Sequence, residues 1–131
     1  MATPYSLNKN EKLKSRKQLD ELFAKGKSFL VFPVKTVFLL TDVVEKPVVK
    51  MGVGVSKKNF KLAVKRNRIK RLLRETYRIN KLPLINYANK ENKNVSVFFL
   101  YVGKEMCDYN LLNEKMRKII IKLNSSSGQC H

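Results

Sequence analysis

The chain has 131 residues, 44% of them hydrophobic, which is enough for one packed core and too apolar for a disordered polyelectrolyte. Lys and Arg number 28 against 10 Asp and Glu, a net charge of +18, and a small fold tolerates that self-repulsion most easily when a polyanion neutralises it. Apolar runs such as Val95 to Val102 are too short to span a bilayer, and the N-terminal MATPYSLNKNEK has no apolar signal region, so a cytoplasmic protein without membrane attachment is expected. The basic residues are spread along the chain rather than gathered in a juxtamembrane tail, which favours nucleic acid over a membrane surface as the polyanion.

A single domain over 1–131 is expected, with a basic arm at about 1–13. Ser15-Arg-Lys-Gln18 has the form of a capping box and Gly26 is a natural residue after a helix end, so the first helix is predicted over Arg16 to Lys25, with Leu19, Leu22 and Phe23 on one face. Residues 34–42, VKTVFLLTD, read as a strand, and the stretch around Glu45 to Pro47 as a turn. Lys50 to Ser56 alternates: Met51, Val53 and Val55 point one way, Gly52, Gly54 and Ser56 the other. That nearly bare second face fits either close packing against a neighbour or room for a ligand backbone. Residues 81–94, with Pro83, Asn86, Asn89, Asn92 and Asn94, are predicted as a loop. Val95 to Val102 is apolar on both faces and reads as a central strand. Asp108 or Asn110 can cap a last helix whose buried stripe is Leu112, Met116, Ile119, Ile120 and Leu123, and a polar tail at about 125–131 is expected to fray. The predicted order is αββαβα, an α+β two-layer sandwich on a central sheet of at least three strands.

Residues 63–78, AVKRNRIKRLLRETYR, hold seven Lys or Arg and one acid, Glu75. At about 100° per residue, Leu62, Ile69, Leu72, Leu73 and Thr76 fall on one core-facing stripe. Asn67, Arg71, Arg74 and Arg78 fall opposite, flanked by Arg68 and Lys70. Solvated helices usually mix signs at i, i+4, whereas this face has one sign, so a phosphate-binding surface is predicted. Guanidinium forks grip phosphate oxygens bidentately, and Asn67 can meet a phosphate, a 2′-hydroxyl or a base edge, or remain solvated. Arg66 lies nearer the core side, where it can pair internally. Lys57, Lys58, Lys61 and Lys65 extend the positive surface around the helix N-terminus, whose dipole also favours anions.

GVGVSKK (52–58) followed by AVKRNRIKRLLRE (63–75), with the Arg66-Asn67-Arg68 triplet, resembles the protein subunit of bacterial ribonuclease P. The likeness extends over SRKQLDELFAKGKSF (15–29) and the element order; where the family often carries Gly-Asn before the Ala-Val pair, this chain has Asn59-Phe60-Lys61-Leu62, one residue longer. The resemblance implies a left-handed βαβ crossover and a protein that binds a large catalytic RNA. That RNA, with Mg2+ it requires, removes the 5′ leader of precursor tRNA by phosphodiester hydrolysis. It implies RNA contacts along Arg66, Asn67, Arg68, Lys70, Arg71 and Arg74, to which the charge pattern adds Lys57, Lys58, Lys61, Lys65 and Arg78. It also implies a cleft for the single-stranded leader, between the first helix and the sheet. Phe23 matches an aromatic lining position there, with simple core packing as its alternative, and Val37 or Phe38 matches another.

The residue inventory points the same way. A protein nuclease needs a general base, an acid or a carboxylate metal cage. The one histidine is the terminal His131, the acidic residues are scattered, and Cys107 and Cys130 read as ordinary thiols rather than a disulfide or metal site. No catalytic residue, metal site or cofactor is therefore expected on the protein itself. A structural or ribosomal-type RNA-binding protein is the alternative reading; a stand-alone nuclease is the least compatible with these residues.

Overall fold

In the computed structural model, which describes residues 16–42 and 47–128, the alternating segments of the sequence pair into one sheet. The elements are α1 (Arg16–Lys25), β1 (Lys27–Val31), β2 (Val34–Asp42), β3 (Val49–Val55), α2 (Ala63–Asn80), α3 (Leu82–Glu91), β4 (Lys93–Tyr101) and α4 (Tyr109–Gly128). The arm at 1–13, the Ser15 cap, most of the turn near Glu45, Cys130 and His131 lie outside the described residues. The strand order is β1-β2-β4-β3, antiparallel except for the parallel pair β3·β4, which α2 and α3 connect as a βαβ crossover.

This is the predicted α+β class with a sheet of four strands, but the order is αβββααβα, and two elements correct the sequence reading. Strand β1 was not expected. It is a five-residue edge strand joined to β2 through Phe32–Pro33 alone, a cis peptide bond. Residues 82–91 form helix α3 rather than a loop. Pro83 stands in its first turn, where a missing N–H costs nothing. Leu84 and Ala88 face the core, Asn86 and Asn89 are exposed, and Asn92 (φ 55°) ends the helix by returning its N–H to the Ala88 carbonyl. Helix α4 starts at the Asp108 cap, whose Oδ1 accepts from the Leu111 N–H at 2.8 Å. Instead of fraying at 125 it continues to Gly128, because each residue added to an anchored helix gains a backbone hydrogen bond.

Register divides the sheet into two faces. Phe38, Val97 and Met51 are neighbours on one face, and with Phe99, Ile69, Leu73, Met116 and Ile119 they belong to the main core under α2, α3 and α4. Val37, Phe98 and Gly52 are neighbours on the other, beside α1. Leu22 and Val37 are buried there, apart from the main core.

Two glycines are explained by close approach. Gly26 follows α1 as predicted, but without a positive φ. A β-carbon there would lie 2.3 Å from the Leu22 carbonyl oxygen and 2.8 Å from that of Phe38. On the bare face of β3, a β-carbon on Gly54 would lie 2.8 Å from Cζ of Phe98, so side-chain packing rather than a ligand backbone occupies that space.

Thr36 is fully buried in β2, and its hydroxyl has no hydrogen-bond partner among the described residues. Thr36→Val keeps the branched shape and removes the desolvated hydroxyl. Denaturant unfolding should show stability raised by about 1 kcal/mol.

Candidate nucleic-acid interface

Helix α2 turns Ile69, Leu73, Thr76 and Tyr77 into the core and leaves Lys65, Asn67, Arg68, Arg71 and Arg74 exposed, with Lys70 half-buried. Among the described residues, Arg68, Lys70, Arg71 and Arg74 make no hydrogen bond or ion pair with a carboxylate. Arg78 differs: it is paired with Glu75 one turn back. Hydrogen bonding from Arg78, partly opposed by burial and helped by the charges of Arg78 and Arg71, lowers the Glu75 pKa. Glu75 is thus occupied at one end of the strip, and the guanidinium groups before it keep their donors for an external acceptor.

Arg66 also has an internal task. Its Nη1 donates to the carbonyl oxygens of Phe60 (2.8 Å) and Lys61 (2.7 Å). The sequence placed this residue nearer the core, and the geometry makes it a brace for the loop ahead of α2 rather than a wholly outward contact. The rest of the loop is anchored as well. Phe60 is buried edge-on against Tyr101 (centroids 5.9 Å), and Asn59 Nδ2 donates to the Val102 carbonyl at 3.2 Å. Lys57, Lys58 and Lys61 are left exposed on this anchored loop. Leu62 departs from the sequence reading: it is 62% exposed rather than inward, since it precedes the helix in an extended conformation and does not follow helical spacing.

Tyr101, which supports the loop, gives a pH-dependent consequence. Its hydroxyl donates to the Glu105 carbonyl at 2.6 Å, and burial, with hydrogen bonding and charge from Cys107, pushes the phenol up from its usual value near 10. A folded pKa above the unfolded one means that this contribution to stability is complete below about pH 10 and is lost as pH rises further, because only the unfolded chain readily releases the proton. Thermal melts from pH 9 to 11 should therefore fall more steeply for the wild type than for Tyr101→Phe.

A second surface lies on the α1 side of the sheet. Phe23 is half-exposed and meets Phe98 edge-on, centroids 5.2 Å apart. Phe23 is therefore not a core residue. Val37 lies on this face, buried, whereas Phe38 is on the opposite one, edge-on to Phe29 in the main core, so of the two strand candidates only Val37 is on the α1 side. Lys35, Lys50 and Ser96 share the face by register. Sequence reasoning missed Phe98, because a strand apolar on both faces carries no sign of which residues look toward α1. The surface combines aromatic rings with ammonium groups, the pairing that holds unstacked bases and their phosphates.

Four acidic side chains are engaged: Asp42 by Lys93 (3.0 Å), Glu114 by Lys118 (3.7 Å), Glu75 by Arg78, and Asp108 as a helix cap. Among the described residues, no three His, Cys, Asp or Glu side chains converge as a metal-holding group. Likewise, no helix among them is long and apolar enough to cross a membrane.

An α+β domain with a braced, one-signed cationic helix on one side of its sheet and a surface carrying aromatic rings on the other defines the class. Comparison with known proteins identifies the family: the model for Ribonuclease P matches residues 7–124. The chain is 35% identical over 119 residues to the ribonuclease P protein component of Porphyromonas gingivalis, covering 91% of this chain and 87% of the relative. It is 34% identical over 134 residues to that of Chlorobium phaeobacteroides, covering 92% and 90%. Among solved structures, the RNase P protein from Thermotoga maritima shares the fold with a TM-score of 0.66 at 23% identity, covering 86% of this chain and 96% of that one. The RNase P protein of Staphylococcus aureus does so with a TM-score of 0.60 at 22% identity, covering 88% and 95%. The chain belongs to the ribonuclease P protein component family.

Proposed function

We propose that the chain is the cytoplasmic, RNA-binding protein subunit of ribonuclease P. It docks on the catalytic RNA and assists endonucleolytic removal of the 5′ leader from precursor tRNA. The observation that carries this reading is the strip Arg68, Lys70, Arg71 and Arg74, which makes no hydrogen bond or ion pair with a carboxylate among the described residues. Phosphates of a folded RNA supply the missing negative charge, each gripped by a guanidinium fork or met by an ammonium group. Asn67 reads a phosphate or a 2′-hydroxyl between them. Arg66 acts mainly by holding the loop that presents Lys57, Lys58 and Lys61.

The leader lies in the α1 cleft. There Phe23 and Phe98 offer ring surface to unstacked bases, and Lys35 and Lys50 neutralise the backbone. Among the described residues no three His, Cys, Asp or Glu side chains converge to hold a metal; in this reading Mg2+ and the hydrolytic step belong to the RNA partner. The protein's part is to bind, orient and neutralise.

Reconstitution tests this reading: the chain is combined with a bacterial ribonuclease P RNA at low Mg2+ and cleavage of precursor tRNA is followed. Stimulation above RNA alone is expected, and none would reject the role. A purely structural RNA-binding protein would bind precursor and mature tRNA complexes alike, whereas this reading requires tighter binding of the precursor.

A further inference from the structure

The basic strip has an apolar interruption. Val64, in the first turn of α2, is 79% exposed, and Leu62 just ahead of it is 62% exposed. Residues three, four and seven positions apart share a helix face, so Val64 stands among Asn67, Arg68 and Arg71. The exposed Lys61 and Lys65 lie next to Leu62 and Val64 in the chain. Single exposed apolar residues are common and usually mean nothing. These two differ in place. The core beneath the loop is filled by Phe60, held by its contact with Tyr101 and by Arg66 on its carbonyl, so Leu62 and Val64 have no inward role. A surface selected only for long-range attraction would gain from cations at both positions.

We infer that Val64, with Leu62 beside it, is an apolar contact that packs against the ribose and base surface of the catalytic RNA between the phosphates that the strip engages. The inference rests on the RNA-binding reading above. Charge complementarity selects the occupant: cations surround both residues, so a polyanion with apolar surface between its charges fits, and folded RNA presents ribose carbons and base faces in that way. The two kinds of contact divide the task. Cations set affinity and its salt dependence, while the apolar pair favours the RNA surface that closes over it without water. This second contribution is nearly independent of salt, because no counter-ion is released by it.

The experiment is binding of Val64→Lys and Val64→Thr to a bacterial ribonuclease P RNA across a salt series. Val64→Lys adds a cation to the strip, yet is expected to bind about 10-fold or more weakly, because the ammonium cannot enter a dry apolar contact. Val64→Thr keeps shape and charge and is expected to bind about 4-fold more weakly, the share of one buried methyl group, with an unchanged salt slope. Equal or tighter binding by Val64→Lys would overturn the inference. So would unchanged RNA binding by Val64→Lys together with loss of self-association of the free chain, which would assign the patch to a second copy. Failure of the wild type itself to bind the RNA would instead overturn the reading on which the inference stands. Because Val64 is mostly exposed, both variants should melt like the wild type.

Discussion

Replacing Arg68, Arg71 and Arg74 together by alanine should weaken binding to ribonuclease P RNA by about 1,000-fold or more while making the free protein slightly more stable. Hydrogen bonds to charged groups are worth roughly 1.5–3 kcal/mol each, so three lost guanidinium–phosphate contacts account for the first effect. The second follows from the free chain. Arg68 and Arg71, and Arg71 and Arg74, are three apart on one helix face, and like charges so placed cost about 0.2–0.5 kcal/mol per pair. Alanine also has the highest helix propensity, and the three side chains make no internal hydrogen bond or ion pair among the described residues. Set against this is the loss of Arg71's favourable charge interaction with Glu75. The net expectation is a gain on the order of 0.5–1 kcal/mol, read from urea unfolding, with binding followed by filter retention. A strip that merely solvated the fold would change neither quantity much. Opposite signs for binding and stability mark residues retained for a partner at some cost to the fold.

Gly26→Ala is expected to separate the two surfaces. A β-carbon at this position meets backbone oxygens of Leu22 and Phe38, which cannot swing aside as a side-chain end could. Overpacking of this kind costs roughly 1–3 kcal/mol, and the upper end is expected here. The strain is relieved by moving α1 off β2, which pulls Phe23 away from Phe98 and opens the cleft. α2 packs on the opposite face of the sheet and should keep its place. The variant should therefore unfold at lower urea concentration and lose its preference for precursor over mature tRNA, with affinity for the catalytic RNA nearly unchanged. Equal loss of both affinities would mean that the two surfaces are not independent.

The sequence made much of this architecture legible wherever periodicity was clean. The bounds of α1 and β2 and the inward stripes of α2 and α4 match the spacing of their apolar residues. Arg66 was legible as an inward-leaning residue, although its carbonyl partners were not. The failures have local causes. Pro83 and the asparagines of 86–92 read as breakers, yet a proline in a first turn and an asparagine in the left-handed region are what start and stop α3. β1 is too short and too exposed to give a two-residue period. The choice between Val37 and Phe38 needed strand register, which one sequence does not carry, and Phe98 was hidden for the same reason. Leu62 was assigned inward by extending the helical wheel one residue past the start of the helix.

The central claim, that external phosphates complete an arginine strip ion-paired with no carboxylate among the described residues, is tested most directly by a salt titration of wild-type binding to ribonuclease P RNA. Four cations, Arg68, Lys70, Arg71 and Arg74, each engaging one phosphate, predict a slope of log affinity on log salt of about −3 or steeper, falling by about 2 or more when the three arginines are removed. A slope shallower than about −1, or one that the arginine substitutions leave unchanged, would contradict the account.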